Sequence, residues 1–391
     1  VDLVSEFHDK FIKVEPINLY DYKEAIEELL PLEKTIQCTK WHGEGDVLAH
    51  TNLVIKEAYQ LCREISDPIK KANLYLAALL HDVGKPLTTE VHANGKITAY
   101  GHEQMGVHIA RDFLKKYFTE FDYFRREEIL SLVEFHGQLK QFAKDEASPE
   151  CYKRLSCSVN TEGVYKLEMA DFRGRIAEDR ASSPSVLEVF KAKCQEYGVF
   201  GKQYTFSGIN LSNLAVNAIR WEILRGNLDE YTPSGISKVA NLYSEIVPEF
   251  ILLVGPPASG KTTYRQNMSN FRVICMDDER QRLCGTPNDM SKNAEVFNNC
   301  FGVLNKEFKA KTNVCWDATS WTRKARRVLI DAARWHGYSI TIVHFDFPLP
   351  VLLERNVVRE KKVPENVVVG FYKRIESPKI YEYDKLIVVD K

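Results

Sequence analysis

The stretch Ile251-Leu252-Leu253-Val254-Gly255-Pro256-Pro257-Ala258-Ser259-Gly260-Lys261-Thr262 constrains the fold more than any other. Four apolar residues of strand type run into a turn bounded by glycines, and a Lys-Thr pair then opens a helix. This is the G-x-x-x-x-G-K-[ST] phosphate-loop pattern in its strand-then-helix setting. Gly255 and Gly260 let the backbone curl so that successive N–H groups face phosphate oxygens, at the positive end of the following helix. In that arrangement Gly255, Ser259, Gly260, Lys261, Thr262 and Thr263 cradle a nucleotide. Lys261 would bridge the β- and γ-phosphates, and the Thr262 hydroxyl would hold Mg²⁺.

Strand-like runs at Ile251–Val254, Arg272–Cys275, Asn313–Trp316, Ser339–His344 and Lys385–Val389 alternate with helical patterns. Alternation of this kind predicts a parallel sheet with helices on both faces, and ligands gathered at the carboxyl edge of the strands. The part before residue 200 reads differently. Apolar positions recur at three and four in Val47–Cys62, Ile69–Leu80, His102–Tyr117, Arg125–Phe135 and Val164–Arg175, which predicts helices. The chain of 391 residues exceeds one ordinary core. It is therefore expected to be multidomain. Residues 1–205 read as an all-α bundle, 206–248 as a helical bridge and 249–391 as an α/β domain.

Bulk properties exclude little. The 53 Lys and Arg nearly balance the 54 Asp and Glu, so any basic surface must be local. No apolar run reaches membrane-spanning length. Nine scattered cysteines without a C-x-x-C pair read as reduced thiols of a cytoplasmic protein, with no cysteine zinc site.

The helical part carries a second constellation: His50, His81-Asp82, His102, His136 and Asp171 lie on or beside predicted helices. Imidazole nitrogens with carboxylate oxygens suit Mn, Fe, Co, Ni or Zn better than Ca. Six candidate ligands allow one or two divalent ions, which would neutralise a phosphate oxygen and acidify a water. Such chemistry suits phosphoester hydrolysis. Lys85, Thr88 and Arg173 are polar positions available to a substrate phosphate, and His42 is an outlying second contact.

The segments Gly45-Asp46-Val47-Leu48-Ala49-His50-Thr51, Ala77-Ala78-Leu79-Leu80-His81-Asp82-Val83-Gly84-Lys85-Pro86, Gly101-His102-Glu103 and Ala170-Asp171-Phe172-Arg173-Gly174-Arg175 resemble the HD phosphohydrolase superfamily, above all the HD module of bacterial tRNA nucleotidyltransferases. The resemblance spans roughly residues 40–180. It implies metal ligation by His50, His81, Asp82 and Asp171, with His102 and His136 as the extra ligands of two-metal members. The Gly-Ser-x-x-Arg and Asp-x-Asp signatures of a nucleotidyltransferase head are absent, so nucleotide addition is not implied.

In the α/β part, carboxylates follow two strand ends, Met276-Asp277-Asp278-Glu279-Arg280 and Trp316-Asp317-Ala318-Thr319. Arg355 and Arg359 stand four apart, which predicts one helical face over the loop. With the phosphate loop, these motifs resemble the 5′-hydroxyl polynucleotide kinase family over about residues 249–391. The resemblance implies Asp277 as the base for the 5′-OH and Arg280 on a neighbouring acceptor phosphate. It places Asp317 on the acceptor side, and Arg355 and Arg359 in a lid over the donor phosphates beside Lys261.

Both resemblances together imply an HD phosphohydrolase fused to a P-loop polynucleotide kinase. Such a bifunctional enzyme would phosphorylate 5′-OH ends with ATP or GTP and Mg²⁺. It would also remove 2′,3′-cyclic, 3′- or 2′-phosphates with one or two divalent transition metals. RNA or DNA ends would be its substrates, upstream of a ligase and away from any membrane. Two alternatives stand beside it: a small-molecule or nucleoside kinase joined to an HD nucleotide phosphohydrolase, and a nucleotide-sensing regulator with a non-catalytic HD domain.

Overall fold

The computed structural model describes residues 2–144, 147–176, 184–208, 210–287, 289–359 and 361–390. It divides into two compact units, Val1–Tyr204 and Thr205–Lys391. No helix among the described residues is long and apolar enough to cross a membrane.

The first unit is a helical bundle with one small antiparallel hairpin, Glu90–Val91 paired with Ile97–Thr98, which the helical reading of this half did not contain. Two residues per strand offer almost no alternating pattern to read. Five helices carry or adjoin the histidines and aspartates: α1 (Val47–Cys62), α2 (Pro68–Leu80), α3 (His102–Tyr117), α4 (Tyr123–Phe135) and α5 (Thr161–Gly174). Side-chain caps start four of them. Asp46 accepts from the Ala49 N–H at 2.8 Å, and Asp67, Asp122 and Asn160 do the same for α2, α4 and α5. Such caps satisfy N–H groups with no partner inside the helix, each contributing about 1 kcal/mol. Glycines then permit close approach. A Cβ on Gly174 would lie 2.9 Å from the Val54 backbone nitrogen, so α5 packs directly on α1. A Cβ on Gly84 would lie 2.1 Å from the His102 carbonyl oxygen and 2.6 Å from the Gly106 nitrogen. This contact brings the His81-Asp82 turn against the start of α3.

The second unit is the expected α/β layer structure. Strands β1 (Glu249–Val254), β2 (Arg272–Cys275), β3 (Val314–Asp317), β4 (Ser339–Phe345) and β5 (Lys385–Val389) form one parallel sheet in the order β2-β3-β1-β4-β5. Side chains alternate along β1. Phe250, Leu252 and Val254 enter one buried cluster, and Ile251 and Leu253 enter another on the opposite face. A strand buried on both sides reads as continuous apolar sequence, as this one does. Within residues 206–248, helix α6 (Asn213–Leu224) contributes Trp221 to the first of those clusters, and the Trp221 indole N–H donates to Asp331 at 3.0 Å.

One local expectation fails. Helix α7 (Leu349–Val358) carries Arg355 but ends before Arg359, whose backbone is extended at φ −71°, ψ 137°. The two arginines therefore do not share a helical face. The Asn356 side chain bonds both the carbonyl and the N–H of Val363, at 2.7 and 3.1 Å, and turns the chain back at this point.

Gly84→Ala should destabilise the helical unit towards the upper end of the about 1–3 kcal/mol typical of overpacking, because backbone rather than a flexible side chain opposes the new methyl. A thermal melt of the full chain checks this. An unchanged midpoint would contradict the close approach of the two segments.

Candidate functional sites

In the helical unit, His50 lies one turn into α1, His81 caps the C-terminal end of α2, and Asp82 follows it. His102 is the first residue of α3, His136 caps the end of α4, and Asp171 lies in the last turn of α5. These six residues converge. His50, His81 and Asp171 each present a ligand atom within 4.8 Å of the other two, and so do Asp82, His102 and His136. Asp82 joins the two groups. Its Oδ2 is 3.2 Å from His81 Nε2 and 3.6 Å from His50 Nε2, while its Oδ1 is 3.4 Å from His102 Nε2 and 3.8 Å from His136 Nε2.

The hydrogen bonds decide which nitrogens face inward. His81, His102 and His136 place Nδ1 on the carbonyls of Ala78, Ala99 and Val133, at 2.8, 2.8 and 2.6 Å. A carbonyl only accepts, so each Nδ1 carries the proton and each Nε2 lone pair turns to the centre. His81 Nε2 is buried there with no hydrogen-bond partner among the described residues. His102 Nε2 and His136 Nε2 lie 3.2 Å apart and can share only a proton or a cation. The donor set thus fits divalent transition ions, with the second nitrogen of His81, His102 and His136 anchored as in metal-bound histidines.

Charge is concentrated accordingly. Burial alone would raise the Asp82 carboxyl, yet His81 and Lys85 outweigh it and hold it well below its usual range. At Asp171 burial is likewise outweighed by Arg175 and His50. Lys85 Nζ lies 2.7 Å from Asp82 Oδ2 and donates to Gln37 at 2.7 Å. Thr88 bonds the Gly84 carbonyl. Arg173 is exposed, whereas Arg175 donates to Asp171 through Nε at 3.0 Å and also through Nη2. Arg175 had a readable signal, since it follows Asp171 by four on a helical pattern. Glu44, which accepts the Ile176 N–H at 2.9 Å and lies 2.8 Å from His42 Nδ1, and Gln37 had none.

In the α/β unit the loop after β1 ends at Gly260, whose φ of +97° favours glycine. A Cβ on Gly255 would meet Phe345 Cβ and Ser259 Oγ at 2.8 Å. Lys261 donates to the Gly255 and Pro256 carbonyls, both at 2.8 Å, and burial pushes its ammonium down to about 8 against the attraction of Asp317 and Asp277. Ser259 is buried, while Thr262 and Thr263 are exposed. Cys275 pairs with Asp317 in the sheet register, so Asp277 emerges beside Asp317 at the carboxyl edge. Burial raises the Asp317 carboxyl despite Lys261 and Arg265. Arg265, absent from the sequence reading, lies 3.2 Å from both Asp317 and Asp278.

Arg280 is buried and donates to Asp277 at 2.6 Å, the Pro287 carbonyl at 3.2 Å and Asn293 at 3.0 Å. Arg355 stacks its guanidinium 3.9 Å over the Phe347 ring. Arg359 is close enough to Lys261 to disfavour its charge.

Residues 47–160 match the HD domain family, and residues 250–378 match an AAA domain family. The chain joins an HD domain to a P-loop AAA domain. It is 30% identical over 162 residues to the multifunctional CCA protein of Pasteurella multocida, covering 38% of this chain and 37% of that protein. It is 24% identical over 137 residues to the L-seryl-tRNA(Sec) kinase of Methanococcus maripaludis, covering 33% of this chain and 52% of that one. The chain thus spans about half or less of the length of these relatives. Among solved structures, a Pnkp1/Rnl/Hen1 RNA repair complex aligns at 21% identity and a TM-score of 0.31, over 34% of this chain and 45% of that one. The HD match ends before Asp171, which the fold returns to the other residues of the cluster through α5.

Glu168, one turn before Asp171 on α5, tests the electrostatics. Burial pushes its carboxyl up to about 6 although it accepts the Leu139 N–H at 3.0 Å. The folded state therefore holds this proton more tightly than the unfolded chain does at 4.5. The stability it contributes is complete below the unfolded value and is lost as pH rises through about 6. In metal-stripped protein, Glu168→Gln should gain about 2 kcal/mol on wild type between pH 4 and pH 8. Denaturant melts at the two pH values check this, and a pH-independent difference would contradict it.

Proposed function

We propose that this chain heals broken nucleic-acid ends at two separate sites. The AAA domain phosphorylates 5′-OH ends from ATP or GTP with Mg²⁺. The HD domain removes 2′,3′-cyclic, 3′- or 2′-phosphates, and a ligase then seals the repaired ends. The observation that carries the reading is the pairing, in one chain, of a phosphate loop beside two strand-end aspartates with a buried histidine-aspartate cluster of inward-facing Nε2 atoms.

At the kinase site, loop N–H groups and Lys261 would hold the donor's β- and γ-phosphates, and the Thr262 hydroxyl would be the Mg²⁺ contact. Asp277 accepts the proton of the 5′-OH. The oxygen so released bonds to the γ-phosphorus as the bond to the β–γ bridging oxygen breaks, leaving the nucleoside diphosphate. Arg359 near Lys261 adds positive charge where negative charge accumulates. Asp317 and Arg265 form the acceptor-side wall.

At the HD site, His50, His81, Asp82 and Asp171 would hold one divalent ion, and Asp82, His102 and His136 a second. Bound ions there supply charge neutralisation and an acidified water. Lys85 and Arg175, the cations beside Asp82 and Asp171, balance the charge of those carboxylates. The relative named L-seryl-tRNA(Sec) kinase supports an RNA-linked acceptor over a free nucleoside.

The decisive substrate is a labelled 5′-OH RNA ending in a 2′,3′-cyclic phosphate, incubated with and without ATP, Mg²⁺ and Mn²⁺ or Ni²⁺. Lys261→Ala should lower 5′ phosphorylation at least about a hundredfold and leave phosphate removal intact. His81→Ala or Asp82→Ala should do the reverse. If one substitution removed both activities from a folded protein, or if free nucleosides served better than the RNA, the reading would fail.

A further inference from the structure

The groups in and around the histidine-aspartate cluster are not equally hidden. His50, His81 and Asp82 are buried, whereas Lys85, His102 and Arg175 keep 12%, 18% and 23% of their side chains exposed. These three mark the side from which solvent reaches the cluster. The loop 37–45 touches two of them. Lys85 donates to Gln37 at 2.7 Å, and the Gly43 N–H donates to the carbonyl of Ile176, the neighbour of Arg175, at 2.7 Å. Within the same loop the His42 ring meets the His50 ring edge-on, with centroids 4.7 Å apart. The residue before His42 is Trp41, whose indole is 44% exposed and has the Lys40 ammonium 5.1 Å from its ring centroid.

We propose that Trp41 is a nucleobase subsite of the HD centre: its indole stacks on the base of the terminal nucleotide whose phosphate the centre takes. The inference rests on the phosphohydrolase reading above. Two independent observations support it. The first is that the ring is exposed on a loop that is itself fixed. Ile36 and Asp46 close the loop as a bridge, and the Gln37 amide donates to the Asp46 carbonyl at 3.2 Å. The N–H groups of Trp41 and His42 both donate to the Cys38 carbonyl, at 3.0 and 2.9 Å. Gln37 and His42 turn into the protein while the indole stays outside, so an aromatic face is held at the cluster before any ligand arrives. The second is charge. Lys40 places a cation beside that face, where a strand that stacks a base also brings a phosphate.

Stacking also suits the task. Every base has a π-face, so an aromatic platform holds a terminal nucleotide without reading its hydrogen-bonding edge. Broken ends carry any base, and an enzyme that heals them gains nothing from discriminating among four. Glycines set the platform in place: Gly45 takes a φ of +110°, and a Cβ on Gly43 would lie 2.7 Å from the Ile176 carbonyl. The loop therefore lies against the end of α5, and Trp41 comes to the rim with it.

The test assays the full chain with Mn²⁺ on two RNAs that end in a 2′,3′-cyclic phosphate, one with an ordinary terminal base and one abasic at that nucleotide. Stacking acts equally on bound substrate and transition state, so it is read in KM rather than kcat. Trp41→Ala should raise KM about 5- to 150-fold on the first RNA and leave kcat unchanged. On the abasic RNA it should match wild type. Trp41→Phe, which keeps a smaller ring, should fall between. Trp335→Ala, at an exposed tryptophan of the α/β unit, is the control and should change neither constant. An unchanged KM for Trp41→Ala, or an equal loss on both RNAs, would overturn the inference. If wild type hydrolysed neither RNA, the phosphohydrolase reading would fall, and fluorescence would judge Trp41 by itself. Wild type titrated with a 3′-phosphate RNA should then show quenching that Trp41→Phe lacks, and equal quenching in the two would overturn the inference.

Discussion

A hydrogen bond from an imidazole to a backbone carbonyl three residues earlier organises the helical unit. His81 and His136 make this bond at the ends of α2 and α4, to Ala78 and Val133. The last four carbonyls of any helix lack a partner within it, so each ring supplies a missing donor. The same bond settles the tautomer and aims Nε2 inward. Helix termination and ring orientation are therefore one interaction, and the helix cannot fray without releasing the ring. His102 repeats the device on the Ala99 carbonyl just before α3. Asp82 lies among these inward nitrogens, and the fixed cation that offsets its buried charge is Lys85, 2.7 Å from Oδ2.

The α/β unit reaches a similar concentration of charge by a different route. Its sheet is covered on both faces, so the carboxyl edge of the strands is where polar groups can emerge. The register places Cys275 opposite Asp317, and the chain leaving β2 then delivers Asp277 to the same edge. Burial acts in opposite senses on the groups collected there. It lowers the Lys261 ammonium to about 8 and raises the Asp317 carboxyl. Each group favours the charged form of the other, and each is poorly hydrated alone. A triphosphate with its Mg²⁺ brings charge of both signs to such a place, and fixed amides meet it without reorganising.

The fold was legible because its signals are periodic. Each of the five strands lies within two residues of its expected limits, since continuous apolar runs and Gly or Asp punctuation leave little choice. Helices α1 and α3 have the expected bounds for the same reason. The histidine-aspartate cluster was legible as residue types rather than as geometry: nothing local places Asp171 near His50, 121 positions away. Loop-borne partners escaped. Glu44 sits in no periodic segment, and Gln37 and Arg265 matter only through what they touch. Arg355 and Arg359 show the converse error. A spacing of four suggests a shared helical face only while the helix lasts, and here it stops at Val358, where Asn356 pins the returning chain to Val363.

Arg280 illustrates how packing sharpens a role that spacing leaves broad. Its side chain is 5% exposed, while that of Asp277 is 64% exposed. The guanidinium is already committed to Asp277, Pro287 and Asn293, so taking an acceptor phosphate directly would mean breaking bonds to a carboxylate and to the loop. Removing a charged group from such a buried set costs several kcal/mol, because the partners left behind lose their compensation. The cheaper use of the arrangement leaves Arg280 in place as the brace of Asp277. A carboxylate bonded through one oxygen on a braced helix start is held in one orientation while most of its surface stays in solvent.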